Sequence, residues 1–122
     1  MKKILFIEDE PAMQEMLSGF LEDSGFNVVS AYDGLSGLET ARREKPDLIL
    51  LDLILPKKDG FGVLSELKRD EALSSIPVVV LTNLESAEDV DRALESGAAA
   101  YLVKTNYLLD EVLEKVKNLL RE

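Results

Sequence analysis

Cysteine and histidine are both missing from this 122-residue chain. Without cysteine there is no disulfide framework and no thiolate metal site, and a reducing cytoplasm is the expected setting. Without histidine, the commonest general base and the commonest transition-metal ligand are gone. Any bound ion must then be hard and held by oxygen, which favours magnesium. Basic residues are scarce too: 14 Lys and Arg face 24 Asp and Glu, a net charge of −10. That excess opposes direct contact with nucleic acid or an anionic membrane, since both require negative charge to be neutralised. Long apolar runs are lacking, and none approaches the ~20 residues of a membrane span. Met1-Lys2-Lys3 followed by Ile4-Leu5-Phe6-Ile7 begins like a signal peptide, but Glu8-Asp9-Glu10 ends the apolar part too soon. A cytoplasmic protein with no membrane partner is expected.

What is present is a recurring pattern: a short apolar run, a turn, then an amphipathic helix. With 46% apolar residues, the length suits one globular domain over residues 1–122. The runs are Lys3 to Ile7, Asn27 to Ala31, Leu48 to Leu51, Val78 to Leu81 and Ala100 to Val103. Leu48-Ile49-Leu50-Leu51 and Val78-Val79-Val80-Leu81 are apolar at every position, as strands of a parallel sheet covered on both faces are. Pro11 opens a helix whose apolar positions are Met13, Met16, Leu17, Phe20 and Leu21, ending at Gly25. Asp33-Gly34 starts a second helix with Leu35, Leu38 and Ala41, and a third runs from about Gly60 through Val63, Leu64 and Leu67. Ser86 with Asp89 forms a capping box for a fourth, and Leu109, Val112, Leu113, Val116 and Leu120 stripe a fifth. Five β-α repeats with right-handed crossovers predict an open, doubly wound α/β sheet in the order 2-1-3-4-5. Ligands of such sheets bind at the carboxyl ends of the strands, at the switch point between strands 1 and 3.

The strand ends carry the chemistry. Glu8, Asp9 and Glu10 follow strand 1, Asp52 follows strand 3, Thr82 and Asn83 follow strand 4, and Lys104 follows strand 5. Carboxylates on adjacent strand ends repel one another unless a cation lies between them, and an all-oxygen set suits magnesium. A lysine and a threonine hydroxyl beside them suit a phosphoryl group. Each residue alone has a plainer reading. Asp9 serves equally well as a cap for the helix that Pro11 opens, Thr82 as a turn residue and Lys104 as a solvated loop residue. Asp52, set between Leu51 and Leu53-Ile54-Leu55, needs a partner to be tolerated.

Glu8-Asp9, the stretch from Asp52 through Pro56 to Asp59-Gly60, Thr82 and Lys104 together resemble the defining positions of response-regulator receiver domains, whose fold is the (βα)5 flavodoxin-like one. The resemblance covers the whole chain. It implies a phosphoacceptor switch rather than an enzyme. Asp52 would take a phosphoryl group from a phosphohistidine on a sensor histidine kinase or a histidine phosphotransfer protein. Asp9, Asp52 and the backbone carbonyl of Ile54 would hold magnesium, with Glu8 acting through water. Lys104 and Thr82 would contact the phosphoryl oxygens. Tyr101 would then turn inward and remodel the face of helix 4, strand 5 and helix 5 for a downstream effector protein. The protein would be a monomer or a phosphorylation-dependent dimer, with no output domain of its own.

Two positions depart from the family pattern. Thr105 follows Lys104 where receivers usually have proline, which disfavours a cis bond there. Asn83 stands where the residue after the threonine is commonly small, and its side chain could orient or restrict attacking water. A different class of function is a receiver-like interaction module that works without phosphorylation; such modules usually lose an acidic residue, the acceptor aspartate or the lysine, and all are present here. Nucleotide, flavin and phosphatase readings lack a P-loop, a dinucleotide glycine fingerprint, a hydroxyl-rich phosphate loop and a second aspartate at Ile54.

Overall fold

Branched aliphatic side chains at consecutive positions favour an extended chain buried on both faces, and the middle of the molecule is built from them. In the computed structural model, which describes residues 1–106 and 109–121, the strands are β1 (Lys3–Ile7), β2 (Asn27–Ala31), β3 (Leu48–Leu51), β4 (Val78–Thr82) and β5 (Ala100–Val103). They form one parallel sheet in the order β2-β1-β3-β4-β5, as expected from the repeat. Register places Ile7 beside Leu51 and Ala31, so Glu8 and Asp52 leave neighbouring strands at one height. β4 runs one residue beyond the expected Leu81, which makes Thr82 a strand residue paired with Val103.

The alternation of side chains divides the core in two. Leu5, Ile7, Ile49, Leu51, Val78 and Val80 face α2 (Gly34–Glu44), α3 (Gly60–Arg69) and α4 (Ala87–Glu95). Ile4, Phe6, Leu48, Leu50, Val79 and Leu81 face α1 (Pro11–Asp23) and α5 (Leu109–Leu120). Each fully buried Leu or Ile contributes roughly 1.5–3 kcal/mol, so the sheet makes a rigid floor for the loops at its rim. Helix starts are fixed locally: Asp33 accepts from the Ser36 amide, Asp59 from Gly62, and Ser86 from Asp89.

Three expectations need correction. Met16 and Leu35, which the helical spacing groups with the apolar positions of their helices, are 52% and 51% exposed. The face of α1 that meets the sheet is instead Gln14, Leu17 and Leu21, which share a stripe at 3.6-residue spacing. Asp9 does not cap α1: the N-cap is Glu10, and no side-chain cap bond forms.

Candidate functional site

The carboxyl edge of the sheet brings together residues from three strands. Glu8, 1% exposed, accepts a hydrogen bond from the Glu10 amide at 3.2 Å, and its own amide donates to the Ala31 carbonyl. Asp52, 4% exposed, is held from both sides. Its amide donates to the Ile7 carbonyl at 3.1 Å, and its Oδ1 accepts from the Ile54 amide at 3.2 Å. Lys104, entering from the end of β5, donates from Nζ to Asp52 Oδ2 at 2.9 Å and also to Glu8 Oε1. The lysine thus bridges the two buried acids rather than standing free beside them.

Asp9 faces solvent but belongs to the same group, since one carboxylate oxygen from each of Glu8, Asp9 and Asp52 lies within 4.8 Å of the others. Three negative charges with one lysine leave two uncompensated, which matches a divalent cation, and the donor set is all oxygen. Burial pushes the Glu8 carboxyl above its ordinary pKa, with the hydrogen bond from Lys104 working against that rise. Burial also disfavours charge on Lys104, but the bonds to Glu8 and Asp52 outweigh it and hold its pKa above the usual lysine value.

Thr82 is fully buried, and its hydroxyl has no hydrogen-bond partner among the described residues. A buried hydroxyl without a partner is uncommon, and it marks a place where an acceptor can arrive. Asn83, next along, is exposed. Tyr101 is half-buried, and its hydroxyl donates to the Leu84 carbonyl at 2.9 Å, tying β5 to the loop before α4. Burial, then the charges of Asp89 and Asp52, raise its phenol pKa. Ile54 presents its side chain to solvent and its amide to Asp52. Thr105 sits in a short 3-10 turn, Lys104–Asn106.

Glycines set the loop that carries Asp52. A Cβ on Gly60 would lie 2.3 Å from the Asp52 carbonyl oxygen, and one on Gly34 would lie 1.9 Å from the Lys58 carbonyl oxygen. Only glycine allows either approach.

Residues 4–117 match the family model for the response regulator receiver domain. The chain belongs to the response-regulator receiver family. Among curated relatives, the DNA-binding dual master transcriptional regulator RpaA of Synechocystis is 45% identical over 99% of this chain and 50% of its own length. The chain spans about half the length of that relative and of several others. The activated N-terminal receiver domain of Klebsiella pneumoniae RstA is 35% identical with a TM-score of 0.91, over 98% of this chain and 99% of that one. A receiver domain of a Pseudomonas aeruginosa sensor histidine kinase, solved with magnesium in its active-site cleft, is 27% identical with a TM-score of 0.90, over 99% and 98%. As a receiver, this chain is a phosphoacceptor module of two-component signalling.

Of the eight residues singled out from the sequence, Glu8, Asp9, Asp52 and Lys104 form one cluster, Ile54 bonds to Asp52 through its amide, Thr82 lies buried on the adjoining strand, Asn83 is exposed and Tyr101 is half-buried. The lysine's bond to Glu8 was not foreseen, nor was Gln14, a buried carboxamide behind the cluster. Its position three residues before Leu17, on the stripe that meets the sheet, was the available signal.

Proposed function

We propose that Asp52 is the phosphoryl acceptor of a magnesium-dependent switch. The observation that carries this reading is the pairing of buried Asp52 with Lys104, alongside two further carboxylates within 4.8 Å. Glu8, Asp9, Asp52 and the carbonyl of Ile54 are the residues for the ion, which when bound would offset the charge of the transferring phosphoryl group. Asp52 supplies the attacking carboxylate oxygen. The phosphorus–nitrogen bond of a phosphohistidine donor breaks as the acyl phosphate forms, and the imidazole leaves. Lys104 exchanges its bond to Asp52 for one to a phosphoryl oxygen, remaining close to Glu8. Little covalent chemistry is asked of the protein beyond this positioning.

Thr82 then has a reason for its unpartnered hydroxyl, which can donate to a second phosphoryl oxygen. Movement of β4's end toward the phosphate pulls on residues 83–86, and Tyr101 is already bonded to that loop through Leu84. The outcome is a shift between two arrangements of the face of α4, β5 and α5, read by an effector protein. The donor is a sensor histidine kinase or a histidine phosphotransfer protein. The acidic surface, at a net charge of −10, favours a protein partner over nucleic acid for this module.

Mass spectrometry after incubation with acetyl phosphate, with and without magnesium chloride, tests the reading. Wild type should gain one phosphoryl group only with magnesium, and Asp52→Asn none. Equal labelling of both proteins, or none of either, would return the reading to a phosphorylation-independent interaction module. Light scattering on the same samples decides between monomer and phosphorylation-dependent dimer.

A further inference from the structure

Gln14 is a polar side chain in a place where an apolar one would serve packing equally well. It is 1% exposed and lies between Met13 and Leu17 on α1, facing the sheet. Its Nε2 meets three backbone carbonyls: Phe6 at 2.7 Å, Ala31 at 2.9 Å and Glu8 at 3.2 Å. Two of these lie at the ends of β1 and β2, and the third belongs to Glu8 itself. Its Oε1 accepts from the Ser18 hydroxyl at 3.3 Å, one turn further along α1, which fixes the amide's orientation. Every polar atom of the carboxamide is thus satisfied, so the group carries no desolvation penalty that would argue against it.

We infer that Gln14 is a positioning residue for the acidic pair, setting the backbone of Glu8 and Asp9 against Asp52 so that their carboxylates converge on one ion. This rests on the magnesium site proposed above. Glu8 and Asp9 lie just past the end of β1, where the sheet no longer provides a regular ladder. Among the described residues, only the bond from the Glu8 amide to Ala31 otherwise ties the backbone of this turn to β2. Gln14 adds a fastening on the same carbonyl and on Glu8's own, from beneath. A turn held at one point can pivot; one held at two cannot. Groups that orient ligands without touching the metal typically alter its affinity ~10–100-fold when removed. The three carbonyls require a donor rather than an amide as such, so a lysine ammonium can take the place of Nε2.

The test uses the full chain and magnesium chloride, with binding read by calorimetry and the phosphorylation rate read separately against magnesium concentration. Gln14→Met keeps the shape and deletes the donors. Its magnesium Kd should rise ~10-fold or more, while the maximal phosphorylation rate at saturating magnesium stays near wild type. Gln14→Lys should recover most of the affinity. Should Gln14→Met not fold, Gln14→Asn, which withdraws the amide by one methylene, reads the same Kd. A folded Gln14→Met with the wild-type Kd overturns the inference, as does a Gln14→Lys no better than Gln14→Met. If wild type itself takes up no magnesium, the site reading fails and this one with it. Wild-type uptake matched by every Gln14 variant leaves the site standing and removes only the role of Gln14.

Discussion

Thr82 keeps a hydroxyl in the interior with nothing among the described residues to receive it. An unsatisfied buried donor costs about 1–3 kcal/mol, so the unphosphorylated protein is held below its attainable stability at this one residue. Thr82→Val retains the branched shape and removes the cost. It should raise unfolding free energy by about 1 kcal/mol in urea titrations without phosphodonor. The same variant should lose the phosphorylation-dependent change in partner binding, measured by calorimetry with and without acetyl phosphate. Asp33 offers a contrasting case, a carboxylate whose bonds are all useful in the resting state. The Ser36 amide, above all, holds its pKa below the ordinary 3.8. A depressed carboxyl stabilises the fold above its unfolded pKa, and that contribution is lost as pH falls through the folded value. Asp33→Ala should therefore cost about 1 kcal/mol at pH 7. Its stability curve should converge toward wild type's below pH 4, as followed by circular dichroism.

Elements carry the next level of constraint, and the glycines distinguish two kinds of helix position. A Cβ at Gly34, at the first turn of α2, would strike the Lys58 carbonyl, whereas one at Gly19, within α1, meets nothing within 4 Å. Gly19→Ala should stabilise by about 0.5–1 kcal/mol through helix propensity alone. Gly34→Ala should destabilise by roughly 1–3 kcal/mol, because the loop between β3 and α3 must shift. It should also slow phosphorylation of Asp52, which that loop carries; denaturant melts and labelling rates check both. The strands were legible in the sequence for a simple reason: β3 and β4 are buried on two faces, so every residue announces the same state. Helical stripes were less legible. Met16 and Leu35 are apolar and near the right period, yet one step of 100° turns each toward water. Glu8, Asp52 and Lys104 could be read because each follows an apolar run, while their mutual bonds could not, since these depend on side-chain reach across neighbouring strands. Gln14 escaped because polarity on a helix ordinarily means a solvated face.

At the scale of the whole molecule, two of the ten net negative charges are concentrated at the rim, in the cluster of Glu8, Asp9, Asp52 and Lys104. A ligand that binds only the folded chain stabilises it by RT ln(1 + [L]/Kd), about 1.4 kcal/mol at ten times Kd. Magnesium chloride at that level should raise Tm by roughly 3–8 °C, given the size of the domain. Asp9→Asn should abolish the rise, and with one repulsive charge fewer it should melt no lower than wild type in a chelator. Differential scanning calorimetry with and without magnesium reads both effects.

Glu8 and Lys104 stand 96 residues apart in sequence and meet only once β5 has docked against β4. Glu8, Asp9 and Asp52 all precede β4 and β5 in the chain. Their cation comes from the residue that follows β5, the edge strand of the sheet. Until β5 docks, the three carboxylates lack the lysine that bridges two of them. The bridging lysine thus makes the charge balance of this acidic cluster depend on completion of the sheet.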